Sequence, residues 1–299
     1  MHRAPRLLLV FLLGTGVMTV QPVVRLMAFS PAPAQADQKA TLKPVAAKAP
    51  DIPFNSPEFE IEQQLLVLAN QSRHQAGAPP LTLDVGLSQA ARKHAQAMVD
   101  ARQLSHQFKG ESPLPQRLAA TTDLQLDEEA ENVALDYDAQ HGHEHLMLSS
   151  PHRANLLNPA YNVVGLGVVR TGDRLYIVED FGHALPNYTI ADLKDRVAAS
   201  LNQLRSESKQ APLPRRDLLI ADDAACSMAR ADKLGTSPVH KLAERFTVLT
   251  YTSLHPETLP NGAIHALTSQ NLRSYSIGAC YARTTTYPTG VYWVVLTLD

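Results

Sequence analysis

The side chains able to do chemistry in this 299-residue chain include twelve His, two Cys and 29 Asp or Glu, and their spacing decides which of them could cooperate. His141, His143 and His145 form the densest group. His143-Glu144 opens the His-Glu-x-x-His pattern by which zinc peptidases place two imidazoles on one helical face, but Met147 stands where the second His must be, so the motif fails. His141 and His145 are four apart and would share a helical face, which leaves two readings: a metal site, or a solvated polar patch beside Gly142. Gly165-x-Gly167 lacks the third glycine of a dinucleotide loop and lies inside an expected strand, where glycine permits close backbone approach. No Gly-x-Ser-x-Gly elbow or phosphate loop occurs. His94 falls on the apolar stripe of a helix and reads as a partnered core or boundary side chain rather than a ligand.

Charge narrows the classes further. With 27 basic against 29 acidic residues, a formal charge of −2, and no basic run longer than Arg215-Arg216, the chain lacks the electrostatic footprint of a nucleic-acid binder. At 44% apolar and 19% charged residues it is rich enough in core formers to be globular. Cys226 and Cys280 both lie in the last third, so a disulfide framework is excluded for the first two thirds.

The elements that must position these groups follow from periodicity. Arg3 and Arg6 precede an uncharged run from Leu7 to Val20, and Ala34-Gln35-Ala36 supplies a small-x-small cleavage pattern; residues 1–36 read as an export signal, the alternative being a retained anchor. No later segment approaches the ~20 apolar residues of a membrane span. The mature protein is therefore expected outside the cytoplasm, extracellular or periplasmic, where an oxidised Cys226–Cys280 pair is expected. Residues 37–57, rich in Ala, Pro and Lys, read as a linker. Ser56-Pro57-Glu58 starts a helix carrying Ile61, Leu65 and Leu68, and a second helix after Asp84 carries Leu87, Ala91, His94 and Met98. Residues 107–127 read as loop, Ser150-Pro151 as the start of a short helix, and residues 161–181 as a β-hairpin turning at Thr171-Gly172-Asp173. A new helix at Thr189, with Asp192 placed for a capping box, sets a domain boundary near residue 187.

The order of segments over residues 65–182 resembles the CAP superfamily (cysteine-rich secretory proteins, antigen 5 and pathogenesis-related 1 proteins), in its bacterial secreted branch. The matching stretches are Leu68-Ala-Asn70-Gln-Ser-Arg73 with Pro79-Pro80-Leu81, Ala90-Ala91, Leu104-Ser105-His106, Ala130-Glu131-Asn132-Val133-Ala134, Ser149-Ser-Pro151-His152-Arg153-Ala-Asn155, Gly165-Leu-Gly167, and the strand from Tyr176 to Phe181. The resemblance implies an α+β fold, an α-β-α sandwich over 58–186, with an open cleft in which two His and two Glu can hold a divalent metal such as zinc. Carried over by motif, His106, Glu131 and His152 are three of the four. The fourth Glu falls on Ser149, and Glu179 on the last strand is a candidate substitute.

Sliding the chain by 132 positions sets Asn70-Gln71-x-Arg73 on Asn202-Gln203-x-Arg205 and Pro80-Leu81 on Pro212-Leu213. Residues 187–299 are accordingly expected to form a shortened, degenerate CAP-like unit, with Cys226 on its second helix and Cys280 on its first long strand, and without the cleft residues. The leading function is a secreted, non-catalytic binding protein whose cleft takes a small apolar ligand, a glycan or a peptide, with a cell-envelope or host protein as a further candidate partner. The rival is a zinc-dependent, peptidase-like hydrolase built on the same residues.

Overall fold

The computed structural model describes residues 8–10 and 56–299. The export signal and linker expected over 1–57 lie outside the described residues apart from 8–10 and 56–57. Besides a short strand β1 (Leu8–Val10), the chain builds two α/β layers in succession, one before and one after residue 187.

In the first, the Ser56 side chain caps α1 (Pro57–Ala76) by accepting from the Phe59 amide at 3.2 Å, and Gly77, in the left-handed region, ends it. Asp84 likewise caps α2 (Val85–Ala101), accepting from the Leu87 amide at 2.7 Å, just after the two-residue strand β2 (Thr82–Leu83). There follow α3 (Leu114–Ala119), β3 (Leu126–Asp136), α4 (Ala139–Leu148), α5 (Ser150–Leu157), β4 (Val163–Thr171) and β5 (Arg174–Ala184). The sheet order is β2-β4-β5-β3, so β3 is an edge strand. The period-2 alternation of β5 sends Leu175, Ile177 and Phe181 into the core beneath α1, α4 and α5, and Tyr176 and Val178 into the core beneath α2. Helices on both faces of one sheet make the expected α-β-α sandwich.

One expectation needs correction. Residues 107–127, read as loop, contain α3 and the first residues of β3. Pro113 and Pro115 look like breakers in sequence, but Pro113 occupies the N-cap position and Pro115 the first turn, where a missing N–H costs nothing. A six-residue helix is also too short to display a period.

The second layer opens at α6 (Ile190–Glu207), with the expected Thr189/Asp192 capping box, and continues through α7 (Leu219–Arg230), α8 (His240–Ala243), β6 (Thr247–Ser253), α9 (Ile264–Leu267), β7 (Tyr275–Ala282) and β8 (Val291–Leu298). Its sheet runs β1-β6-β8-β7. Tyr292, Val294 and Leu296 pack towards α6, and Val291, Trp293 and Val295 towards α7. Among the described residues no helix is long and apolar enough to cross a membrane.

The two layers touch directly. Arg283 donates to the carbonyls of Thr122 (2.6 Å) and Ala119 (3.1 Å), the Thr289 hydroxyl donates to the Leu126 carbonyl at 3.0 Å, and His255 Nε2 lies 3.1 Å from Asp127.

Cys226 on α7 and Cys280 on β7 form a disulfide with their Cα atoms 5.1 Å apart. Closing a loop of 54 residues restricts the unfolded chain, so the Cys226→Ser/Cys280→Ser variant is expected to lose about 2–4 kcal/mol in urea unfolding. Identical midpoints for the two proteins would contradict this.

Candidate functional site

The cleft residues gather at the edge strand. Along β3, Glu131 and Val133 face α2 while Asn132 and Ala134 face α1 and α5, because successive side chains alternate. His106 arrives in the chain after α2 and His152 on α5, from opposite layers, and an edge strand is where both can reach the same residue. The structure brings all three together: His106 Nδ1 lies 2.9 Å from Glu131 Oε1, and the His106 and His152 rings are 6.5 Å apart. The His106 side chain is 56% exposed, whereas Glu131 is buried. His152 Nδ1 is buried without a hydrogen-bond partner, and burial, helped by the nearby His106, lowers its pKa and keeps the ring neutral.

Two further groups complete the site: Arg117, unforeseen from the sequence, and His94. Arg117, on α3, bonds Glu131 Oε2 through one guanidinium nitrogen and approaches Glu111 at 3.2 Å with another. His94 is 1% exposed; its Nε2 donates to the Ser105 carbonyl at 2.7 Å, and Glu111 lies 2.7 Å from its Nδ1. His94 is thus the partnered core histidine expected, and it braces the segment that carries His106. Burial works to raise the pKa of Glu111, but hydrogen bonds from His94 and the Phe108 amide, with the charges of His94 and Arg117, hold it below its ordinary value.

The carboxylate beside Glu131 is Asp180 rather than the suggested Glu179. Register pairs Glu131 with Asp180 and Asn132 with Glu179, so Glu179 projects to the opposite face, where Asn132 Nδ2 donates to its Oε2 at 3.1 Å. Asp180 is pushed well above the usual carboxylate range, first by burial and then by the negative charge of Glu131. Ser149 ends α4 and precedes α5, and its side chain makes no capping hydrogen bond. The three clustered histidines diverge: His141 pairs with Asp138, His145 with Asp136, and the buried His143 places Nε2 2.8 Å from Ser72 Oγ.

Glu179 gives a pH signature. It is fully buried, and desolvation raises its pKa from 4.5 to about 7. The folded state holds this proton more tightly than the unfolded chain, so the contribution is intact below about pH 4.5 and is lost as pH rises towards 7. Across that window wild type should lose roughly 3 kcal/mol relative to Glu179→Gln. Melting temperatures of both proteins between pH 4.5 and 8 test this, and parallel curves would refute it.

The α-β-α sandwich, with His106, Glu131 and His152 at its sheet edge, has the fold that the resemblance in the sequence implied. Residues 66–181 match the family described as CAP, the cysteine-rich secretory protein family, and this segment of the chain is a CAP domain. The uncharacterized protein YkwD of Bacillus subtilis is 30% identical over 149 residues, which is 46% of this chain and 55% of that protein; the chain thus spans about half the length of this curated relative. An extracellular SCP-domain protein of Bacillus anthracis is similar in structure, at 27% identity over 42% of this chain and 41% of that one, with a TM-score of 0.39. NaASP2, crystallised with Zn2+, is similar at 14% identity over 43% of this chain and 82% of that one, with a TM-score of 0.31.

Among the described residues, the donors that meet at this cleft do not fit zinc or another divalent metal. Both Glu131 oxygens are committed, Oε1 to His106 and Oε2 to Arg117, and a fixed guanidinium charge stands beside them. Of the three carried-over ligands, only the imidazoles of His106 and His152 remain, short of the three protein ligands of an open zinc site. Among the described residues no group of three or more His, Cys, Asp or Glu is placed to hold a metal ion.

Proposed function

We propose that the protein is secreted and that its CAP domain is a non-catalytic binding module, whose cleft at His106, Glu131 and His152 takes a small apolar ligand, a glycan or a peptide. The observation that carries this reading is the commitment of Glu131: with His106 on one oxygen and Arg117 on the other, it is spent as a strut and is free neither as a general base nor as a metal ligand. His106, half exposed at the rim, and the neutral His152 then offer imidazole edges for recognition. The extracellular description of the Bacillus anthracis relative supports export.

The second unit reads as a shortened CAP-like repeat without the site. Several correspondences support this. The strand orders β3-β5-β4 and β6-β8-β7 match, and an isolated parallel bridge between Arg215 and Tyr275 stands where β2 pairs with β4. Ser88 Oγ accepts from the Leu166 amide as Asp222 Oδ1 accepts from the Ala279 amide. Glu131-Asn132 and Pro151-His152 have no counterpart there.

Protein incubated with zinc and desalted is expected to retain well under one equivalent, to leave a peptide library uncut, and to bind members of a glycan, lipid or peptide array that His106→Ala/His152→Ala does not. Stoichiometric zinc, lost in the double variant together with peptide turnover, would replace this reading with the hydrolase. Unchanged array binding by the variant would remove the cleft from the function.

A further inference from the structure

A second candidate site lies in the C-terminal unit and shares no lining residue with the His106 cleft. Leu218, Leu242, Phe246 and Tyr275 wall a cavity of about 220 Å3 between the start of α7, the α8 region and one end of the β7–β8 ladder. Three cations line it: Arg216, Lys241 and Arg245. None of them has an ion-pair partner among the described residues, in contrast to the adjacent Arg215, which pairs with Asp195 at 2.7 Å. Arg216 is held in place by its backbone amide, which donates to the Tyr275 carbonyl at 2.8 Å. Among the described residues, the one acidic side chain lining the cavity, that of Asp299, pairs with Arg273 at 3.1 Å.

Two observations beyond the charges point to a ligand. Ser276 is fully buried, lines the cavity, and has a hydroxyl without a hydrogen-bond partner, an arrangement native interiors rarely tolerate. The 12-residue helix α7 begins at this wall with no side-chain cap, so its first amides and the positive end of its dipole are left without a capping side chain. A cation cluster, a capless helix start and an orphaned hydroxyl around an apolar floor share one chemical complement.

We propose that this cavity binds a small organic anion, a carboxylate head with a compact apolar body. The head meets Arg216, Lys241 and Arg245, with Ser276 supplying a neutral hydrogen bond, and the body packs on Leu242 and Phe246. The volume lies below the ~300 Å3 at which drug-sized pockets begin, which restricts the ligand to short acyl or single-ring acids.

Octanoate, octanol and inorganic phosphate, titrated calorimetrically into the full chain, separate head from body. Octanoate is expected to bind one to one, at least tenfold tighter than either of the others. Its affinity should fall tenfold or more in Lys241→Glu/Arg245→Glu, whose substitutions are both at exposed positions, with the melting temperature unchanged, and should stay the same in His106→Ala/His152→Ala, which separates this site from the cleft. Absence of saturable octanoate binding, equal affinity in the charge-reversed variant, or phosphate or octanol binding as tightly as octanoate would each overturn the proposal.

Discussion

Arg73→Ala is expected to cost roughly 4 kcal/mol of folding stability. Arg73 sits in the last turn of α1, fully buried, and has no carboxylate partner among the described residues. Its guanidinium donates instead to four carbonyls: Nε to Pro79 at 2.7 Å, one terminal nitrogen to Leu156 and Asn158 at 2.8 and 2.9 Å, and the other to Tyr161 at 2.8 Å. These carbonyls belong to the turn after α1, to the last turn of α5 and to the chain between α5 and β4, where the backbone supplies few partners of its own for them. Truncation removes every one of these charged bonds and leaves buried acceptors without donors, where each orphan costs about 1–3 kcal/mol before water enters. Arg73→Lys keeps the charge but not the fork, so it should recover only a minor part. Urea unfolding at neutral pH measures both variants, and a loss under ~1 kcal/mol for Arg73→Ala would show that the fork is not what holds this segment. Arg205, 132 positions on, donates in the same manner to Ala211, Leu267 and Ser269, and Arg205→Ala should carry a comparable penalty in the second unit.

Gly165→Ala is expected to destabilise by about 3 kcal/mol or more through overpacking. A Cβ at this position on β4 would stand 2.1 Å from the backbone carbon of Leu87 and 2.5 Å from its carbonyl oxygen, so the α2 backbone itself must move. No rotamer change relieves a clash with main chain. Gly278 on β7 stands in the same relation to Ala221 on α7, again at 2.1 Å, and Gly278→Ala should behave alike. Gly235→Ala is the control: nothing lies within 4 Å of its added Cβ, and a change within ~0.5 kcal/mol is expected. Equal melting temperatures for Gly165→Ala and Gly235→Ala would defeat the argument.

How much of this was legible in the sequence varied with the range of the interaction. The Ser56 and Asp84 caps, the Thr189/Asp192 box and the Thr171-Gly172-Asp173 turn are set by residues within four positions of one another, and each stands where the local pattern placed it. Gly165 was readable as a point of close approach because an isolated glycine inside a Val-rich strand gains nothing locally from lacking a side chain. α3 escaped notice because its six residues follow Pro113 and contain Pro115, and with it Arg117, which sits between the apolar pair Leu114 and Leu118.

For the site, the order of segments in the sequence carried a family resemblance, and that resemblance brought forward His106, Glu131 and His152, which the structure gathers. Only the tertiary structure decided what they can do there. Strand alternation dictates that Glu131 and Asn132 face opposite ways, but register across β3 and β5 was needed to put Asp180, not Glu179, beside Glu131. The fold also had to bring Arg117 from a separate helix onto the second oxygen of Glu131. A carboxylate has two oxygens, and whether they are spent on neighbours or left for a ligand depends on contacts between elements distant in sequence, which local pattern does not encode.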